Sequence, residues 1–142
     1  MNPFYFFFED TEKFIFPKDI FKKQIKQIIN DASKDAEEIN IIFCRDEYLY
    51  EMNKKYLGHD YYTDIITFDY CRDNFISGDL YISVDRLKEN ALKYKVSFIY
   101  EVARVVFHGV LHLVGYNDSS KEERNNMKKM ENYYLKESGL KS

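Results

Sequence analysis

The chain has 142 residues, 45% of them hydrophobic and 18% aromatic, enough for one domain around a single core and too few for two. That composition excludes a disordered chain, a collagen-like repeat and a disulfide-stapled mini-protein. With 21 Lys+Arg against 24 Asp+Glu the net charge is -3, so contact with a polyanion has to be made by a local patch.

In chain order, residues 3–8 (PFYFFF) read as a short aromatic strand. Pro17 suits the first position of a helix running through residues 19–32, with Phe21, Ile25, Ile28 and Ala32 on one stripe. Residues 39–44 (INIIFC) form an uncharged, β-branched strand, and residues 46–56 a second helix with Leu49, Met52 and Tyr56 along one face. After a loop at Gly58, residues 63–70 and 79–84 read as a hairpin-like pair of strands joined by a loop from Arg72 to Gly78. In the second of these strands Leu80, Ile82 and Val84 share one face, and Asp79, Tyr81 and Ser83 the other.

Helices follow over residues 86–95 and 97–114. The latter is apolar nearly all round, which marks a buried central helix. Gly115 can take the left-handed conformation that closes it. Ser119 with Glu122, and Ser120 with Glu123, offer overlapping capping boxes for a last helix to about Glu137. The expected fold class is α+β: a single small mixed sheet of about four strands with about five helices, in one domain over residues 1–142.

Acidic side chains outnumber basic ones over residues 45–75, and the reverse holds over residues 119–142, so the C-terminal segment is the expected anion-facing surface. Cys44 and Cys71 form no CxxC pair, and the opening MNPFYFFFED lacks a basic leader region. Free thiols and a cytoplasmic setting are therefore expected. No apolar run approaches the roughly 18 residues a membrane span needs.

The chemistry concentrates in His108-Gly-Val-Leu-His112-Leu-Val-Gly115-Tyr-Asn-Asp118. Helix positions i and i+4 project about 40° and about 6 Å apart, so both imidazoles reach one point beside the helix. Gly115 lets the backbone reverse, and Asp118 can return to that point as a third donor. A nitrogen, nitrogen, oxygen set suits one Zn²⁺ and leaves a coordination position open. Two unpartnered buried imidazoles would otherwise cost roughly 1–3 kcal/mol each.

The spacing also matches the metal scaffold of metzincin-type peptidases, but the glutamate that serves those enzymes as base is replaced by Gly109. A mid-helix glycine costs about 1 kcal/mol against alanine. Gly109 therefore implies either a ligand close to the backbone or tight helix packing.

Three segments together resemble the YbeY family of endoribonucleases. HGVLHLVGYND with the downstream Met127 is similar to the family's HGxLHLxGYDH. Residues 56–68, YLGHDYYTDIITF, resemble YRxxDxPTDVLSF, and residues 77–83, SGDLYIS, resemble GDIxIS. The resemblance implies an α+β fold with a zincin-like metal site on the central helix and zinc-dependent cleavage of single-stranded RNA. It also implies roles in 16S ribosomal RNA 3′-end maturation and ribosome quality control, with the small subunit as partner and neither DNA nor a membrane.

Carried over by position, the ligands are His108, His112 and, at the family's third histidine, Asp118. The catalytic group is a metal-bound water with no assigned general base, supported by Asp64 of the TD pair and Asp79. The chain departs from the pattern at Asp118, at Leu57 in place of an arginine, and at Tyr62 in place of a proline. Arg45, Arg72 and Arg104 are the candidates to replace the missing charge. His59 reads as a loop histidine, Met127, Met130 and Tyr134 as packing residues, and Tyr116 as either a core plug or a base-stacking ring. A metallopeptidase and a ribosome-assembly factor with a structural metal are the alternatives.

Overall fold

Alternating apolar side chains set the sheet. β1 (Phe4–Glu9), β2 (Asp35–Cys44), β3 (Ile65–Asp69) and β4 (Phe75–Ser83) lie in the order β1-β2-β4-β3 in the computed structural model, which describes residues 3–142. β1 and β4 both run parallel to β2, while β3 is antiparallel to β4, so the sheet is mixed. Ile39, Ile41 and Phe43 of β2 and Leu80 and Ile82 of β4 are fully buried on one face.

That face is covered by helices. α1 (Lys18–Asp31) presents Phe21, Ile25 and Ile28 to it, and Phe6, Phe16, Phe21 and Phe43 meet there with ring centroids 4.9–6.5 Å apart. Such pairs each add about 0.5–1.5 kcal/mol beyond the area they bury. The opposite face is covered by α2 (Asp46–Leu57) over β3, β4 and the end of β2, where Leu49 packs on Cys44 and Ile66.

α3 (Val84–Tyr94), α4 (Phe98–Leu113) and α5 (Lys121–Ser138) complete the domain. α4 touches α1, α3, α5, β3 and β4, and Val102, Val106, Val110 and Leu111 are fully buried. The expected central helix is thus found, as are the five helices and four strands of the α+β fold. Of the two overlapping capping boxes, Ser120 with Glu123 is the one that forms. Pro17 stands at the cap position rather than inside α1.

β2 begins earlier than its uncharged stretch suggests because Asp35 and Ala36 pair with Phe75 and Ile76. The connection between β3 and β4 is likewise shorter than expected. Arg72 bridges Phe75, and Asp73 takes the left-handed conformation (φ 53) that aspartate tolerates. Cys44 and Cys71 are free thiols, pushed by burial up to about 12 and about 11. Among the described residues no single helix is long and apolar enough to cross a membrane.

Candidate metal centre

α4 buries most of its circumference but leaves His108 and His112 part-exposed, one turn apart, at its C-terminal end. Between them Gly109 faces the sheet, where a Cβ would meet Ile65 Cδ1 at 2.8 Å and Leu80 Cδ1 at 2.9 Å. The glycine is therefore what lets α4 lie against β3 and β4, and tight packing is the reason for it. After Val114 caps the helix, Gly115 adopts φ +113, where a side chain is disfavoured, and the chain doubles back.

The reversal brings Asp118 to the two imidazoles. His112 Nε2 stands 3.1 Å from His108 Nε2 and 3.2 Å from Asp118 Oδ2, and His108 Nε2 stands 3.4 Å from the same oxygen. Three donor atoms thus form a nearly equilateral triangle that fits around one divalent ion. Among the described residues no fourth His, Cys, Asp or Glu joins the group.

A buried charge network fixes the first of these donors. His108 Nδ1 lies 2.6 Å from Glu131 Oε2, and a carboxylate oxygen accepts, so Nδ1 carries the proton and Nε2 keeps its lone pair for a metal. Arg104 Nη1 donates to the other Glu131 oxygen at 3.0 Å. Its Nε and Nη2 form a fork on Glu101 at 2.8 and 2.6 Å. Burial works against the Arg104 guanidinium, but the bonds to Glu101 and Glu131 outweigh it and hold the group charged.

Carboxylates behind metal-bound histidines fix their orientation and raise their basicity. Glu131→Gln leaves one acceptor oxygen for two donors, His108 and Arg104. It should weaken metal affinity about 10- to 100-fold, read by competition against a chelating dye. Unchanged affinity would mean that Glu131 only packs.

Two clefts meet at the triangle, and His108 and Asp118 line both. One, of about 490 Å³, lies between α4 and α5; the other, of about 640 Å³, lies beneath the loop from α2 to β3. Leu57, His59, Thr63 and Asp64 line the second. Burial pushes the Asp64 carboxyl up, against the pull of Arg104 and His108.

Asp79 is elsewhere. It lies on the sheet face turned from α4, accepts from Asn40 Nδ2 at 3.0 Å and lines neither cleft. Met127 is buried and lines the first cleft together with His108. Tyr134 is buried and donates to Asp31, while the half-buried Met130 and Tyr116 pack against the core.

Of the arginines considered for the missing charge, Arg45 precedes α2 and Arg72 sits in the turn between β3 and β4, both outside the clefts. Arg104 lines the first cleft, but its hydrogen bonds are committed to Glu101 and Glu131. The sequence reading missed the roles of Glu101 and Glu131. The signal was present in Glu101 and Arg104, two charged residues inside an otherwise apolar helix.

Comparison with known proteins bears on this geometry. A sequence model described as "Endoribonuclease YbeY" matches residues 7–139. A protein of that name from Karelsulcia muelleri is 42% identical over 129 residues, 91% of this chain and 92% of its own length. Another from Bacteroides thetaiotaomicron is 48% identical over 111 residues, 78% and 81% of the two chains. The solution structure of a Thermotoga maritima protein superposes over 95% of this chain and 88% of its own with a TM-score of 0.67. At 24% identity, that likeness is one of fold.

Proposed function

The chain belongs to the endoribonuclease YbeY family, and from that membership we propose that it cuts single-stranded RNA with one Zn²⁺ held by His108, His112 and Asp118. Its proposed substrate is the 3′ end of 16S ribosomal RNA, and its setting maturation and quality control of the small ribosomal subunit in the cytoplasm. The observation that carries the reading is the donor triangle at the junction of two clefts. Ligands about 2.0–2.2 Å from Zn²⁺ at tetrahedral corners stand about 3.3–3.6 Å from one another, within a few tenths of an ångström of the spacing found. The separations here are 3.1, 3.2 and 3.4 Å.

Bound there, the ion would polarise a phosphoryl oxygen and make a water molecule nucleophilic near neutral pH. The chain's own groups do the rest. Asp118 adds a negative charge to the donor set, which favours a working range at higher pH than three histidines would. Glu131 keeps the His108 lone pair aimed at the triangle. Asp64, in the same cleft and raised by burial, is the group proposed to take the proton as water attacks phosphorus.

Asp64→Asn should lower turnover by about 10²- to 10⁴-fold, the usual worth of a general base. It should also raise the melting temperature of metal-free protein at neutral pH. The folded-state pKa of Asp64 lies above its unfolded value, so ionisation there costs stability as pH rises, and the amide escapes that cost. Unaltered turnover would remove Asp64 from the mechanism.

A peptidase reading is disfavoured because position 109, where such enzymes keep their basic glutamate, faces Ile65 and Leu80 in the core. A structural metal would call for four protein ligands, and among the described residues only three converge. Incubation of zinc-loaded and chelator-stripped protein with unstructured RNA and with a casein-like peptide separates the readings. RNA cut only by the loaded protein, with the peptide intact, is expected; the reverse would overturn it.

A further inference from the structure

The two clefts that meet at the donor triangle carry opposite chemistry. Beneath the loop from α2 to β3 the walls hold no lysine or arginine; their charged groups are Asp64 and Asp69 besides the shared Asp118. What that side offers is rings. His59 and Tyr61 are exposed and stacked, with centroids 5.1 Å apart and planes within 17°. Tyr61 Oη and His59 Nδ1 are joined by a 2.9 Å hydrogen bond, and Asn53 Nδ2 donates to the Tyr61 carbonyl, which anchors the loop to α2.

The α4–α5 cleft is built the other way. Its inner carboxylates, Glu101 and Glu131, are buried and both paired with Arg104, which turns them inward from the rim. Its outer rim on α5 carries Arg124, Lys128 and Asn132, exposed and spaced four residues apart, so they form one stripe along the helix. Arg124 spends one N–H on the Ser119 carbonyl and keeps the rest, and among the described residues Lys128 makes no ion pair. The two cations are about 6 Å apart along the axis, on the scale of successive phosphates in an extended strand.

We propose that a single RNA strand crosses the His108–His112–Asp118 triangle from one cleft to the other. A base stacks on the Tyr61–His59 pair on the α2–β3 side, and backbone phosphates are held by Arg124 and Lys128 on the α5 side. The cationic role absent at Leu57 is thereby moved across the site. A net charge of -3 is no obstacle, because the attraction is confined to one stripe. Stacking tolerates any base, and phosphate contacts read no sequence, so the path selects unpaired strands rather than a motif. This inference rests on the endoribonuclease reading.

The test uses the zinc-loaded full chain and an unstructured RNA carrying one 2-aminopurine. The absence of tryptophan leaves that fluorescence uncontaminated. The double variant Arg124→Ala/Lys128→Ala should lower the slope of log affinity against log salt by about 1.4, two single-strand phosphate contacts' worth. Tyr61→Leu should leave the slope alone, weaken binding at least about fivefold and abolish the protein-induced change in 2-aminopurine emission. An unchanged slope in the first variant, or unchanged emission in the second, with the wild type still cutting, overturns the path alone. A wild type that neither binds nor cuts this RNA overturns both the path and the reading beneath it.

Discussion

Asp118→Ala is expected to abolish metal binding and RNA cleavage together while leaving the fold intact. The side chain is about two-fifths exposed and contacts only the two histidines within ion-pair distance, so its loss opens no cavity. Two imidazoles on one helix turn remain, one ligand short of the usual catalytic site. Since such an ion contributes several kcal/mol to the transition state, cleavage should fall about 10³-fold or more. Circular dichroism, metal content and a labelled RNA read the three quantities separately. Asp118→His, the family's own residue, should keep metal and cleavage and move the acid limb of the rate profile to lower pH, because one negative charge leaves the site. Full zinc content and normal cleavage in the alanine variant would remove Asp118 from the ligand set.

Arg104→Ala should produce the largest loss of stability. Its guanidinium lies between Glu101, whose side chain is 1% exposed, and Glu131, at 5%. Removing it strands two buried carboxylates, and breaking a buried pair by deleting one partner costs about 3–5 kcal/mol. For a domain of this size that is a fall in melting temperature of roughly 10 °C or more. Arg104→Lys should rescue little, because an ammonium cannot fork onto Glu101 while also reaching Glu131. Arg104→Ala combined with Glu101→Gln should recover part of the loss by removing one unpaired charge. Metal affinity should fall with stability, since Glu131 loses the partner that fixes it behind His108. A midpoint shift within about 2 °C would contradict the network's role.

What could be read from the sequence was what local spacing determines. His108 and His112 converge because four residues make one turn, Asp118 because Gly115 breaks the helix, and α5 starts where a capping box forms. The hairpin and the central helix follow from pattern in the same way. What was not legible depends on contacts between distant elements. The 2.6 Å bond from His108 to Glu131 spans α4 and α5, and no periodicity ties those positions together. The early start of β2 was hidden because Asp35, Glu37 and Glu38 read as loop, although their strand is half exposed and can carry charge. Asp79 falls by alternation on the face away from the core, as expected, but the clefts open on the other side of the sheet, and its side chain accepts from Asn40 of β2 instead.

The expectations for metal binding and cleavage depend on one ion held by two imidazoles and one carboxylate. Crystals grown with excess zinc and measured on either side of the zinc absorption edge test this directly. The predicted result is a single strong anomalous peak about 2.0–2.2 Å from His108 Nε2, His112 Nε2 and an Asp118 carboxylate oxygen, with Glu131 on the far side of the His108 ring. No peak at that point, with the three side chains turned apart, would contradict it.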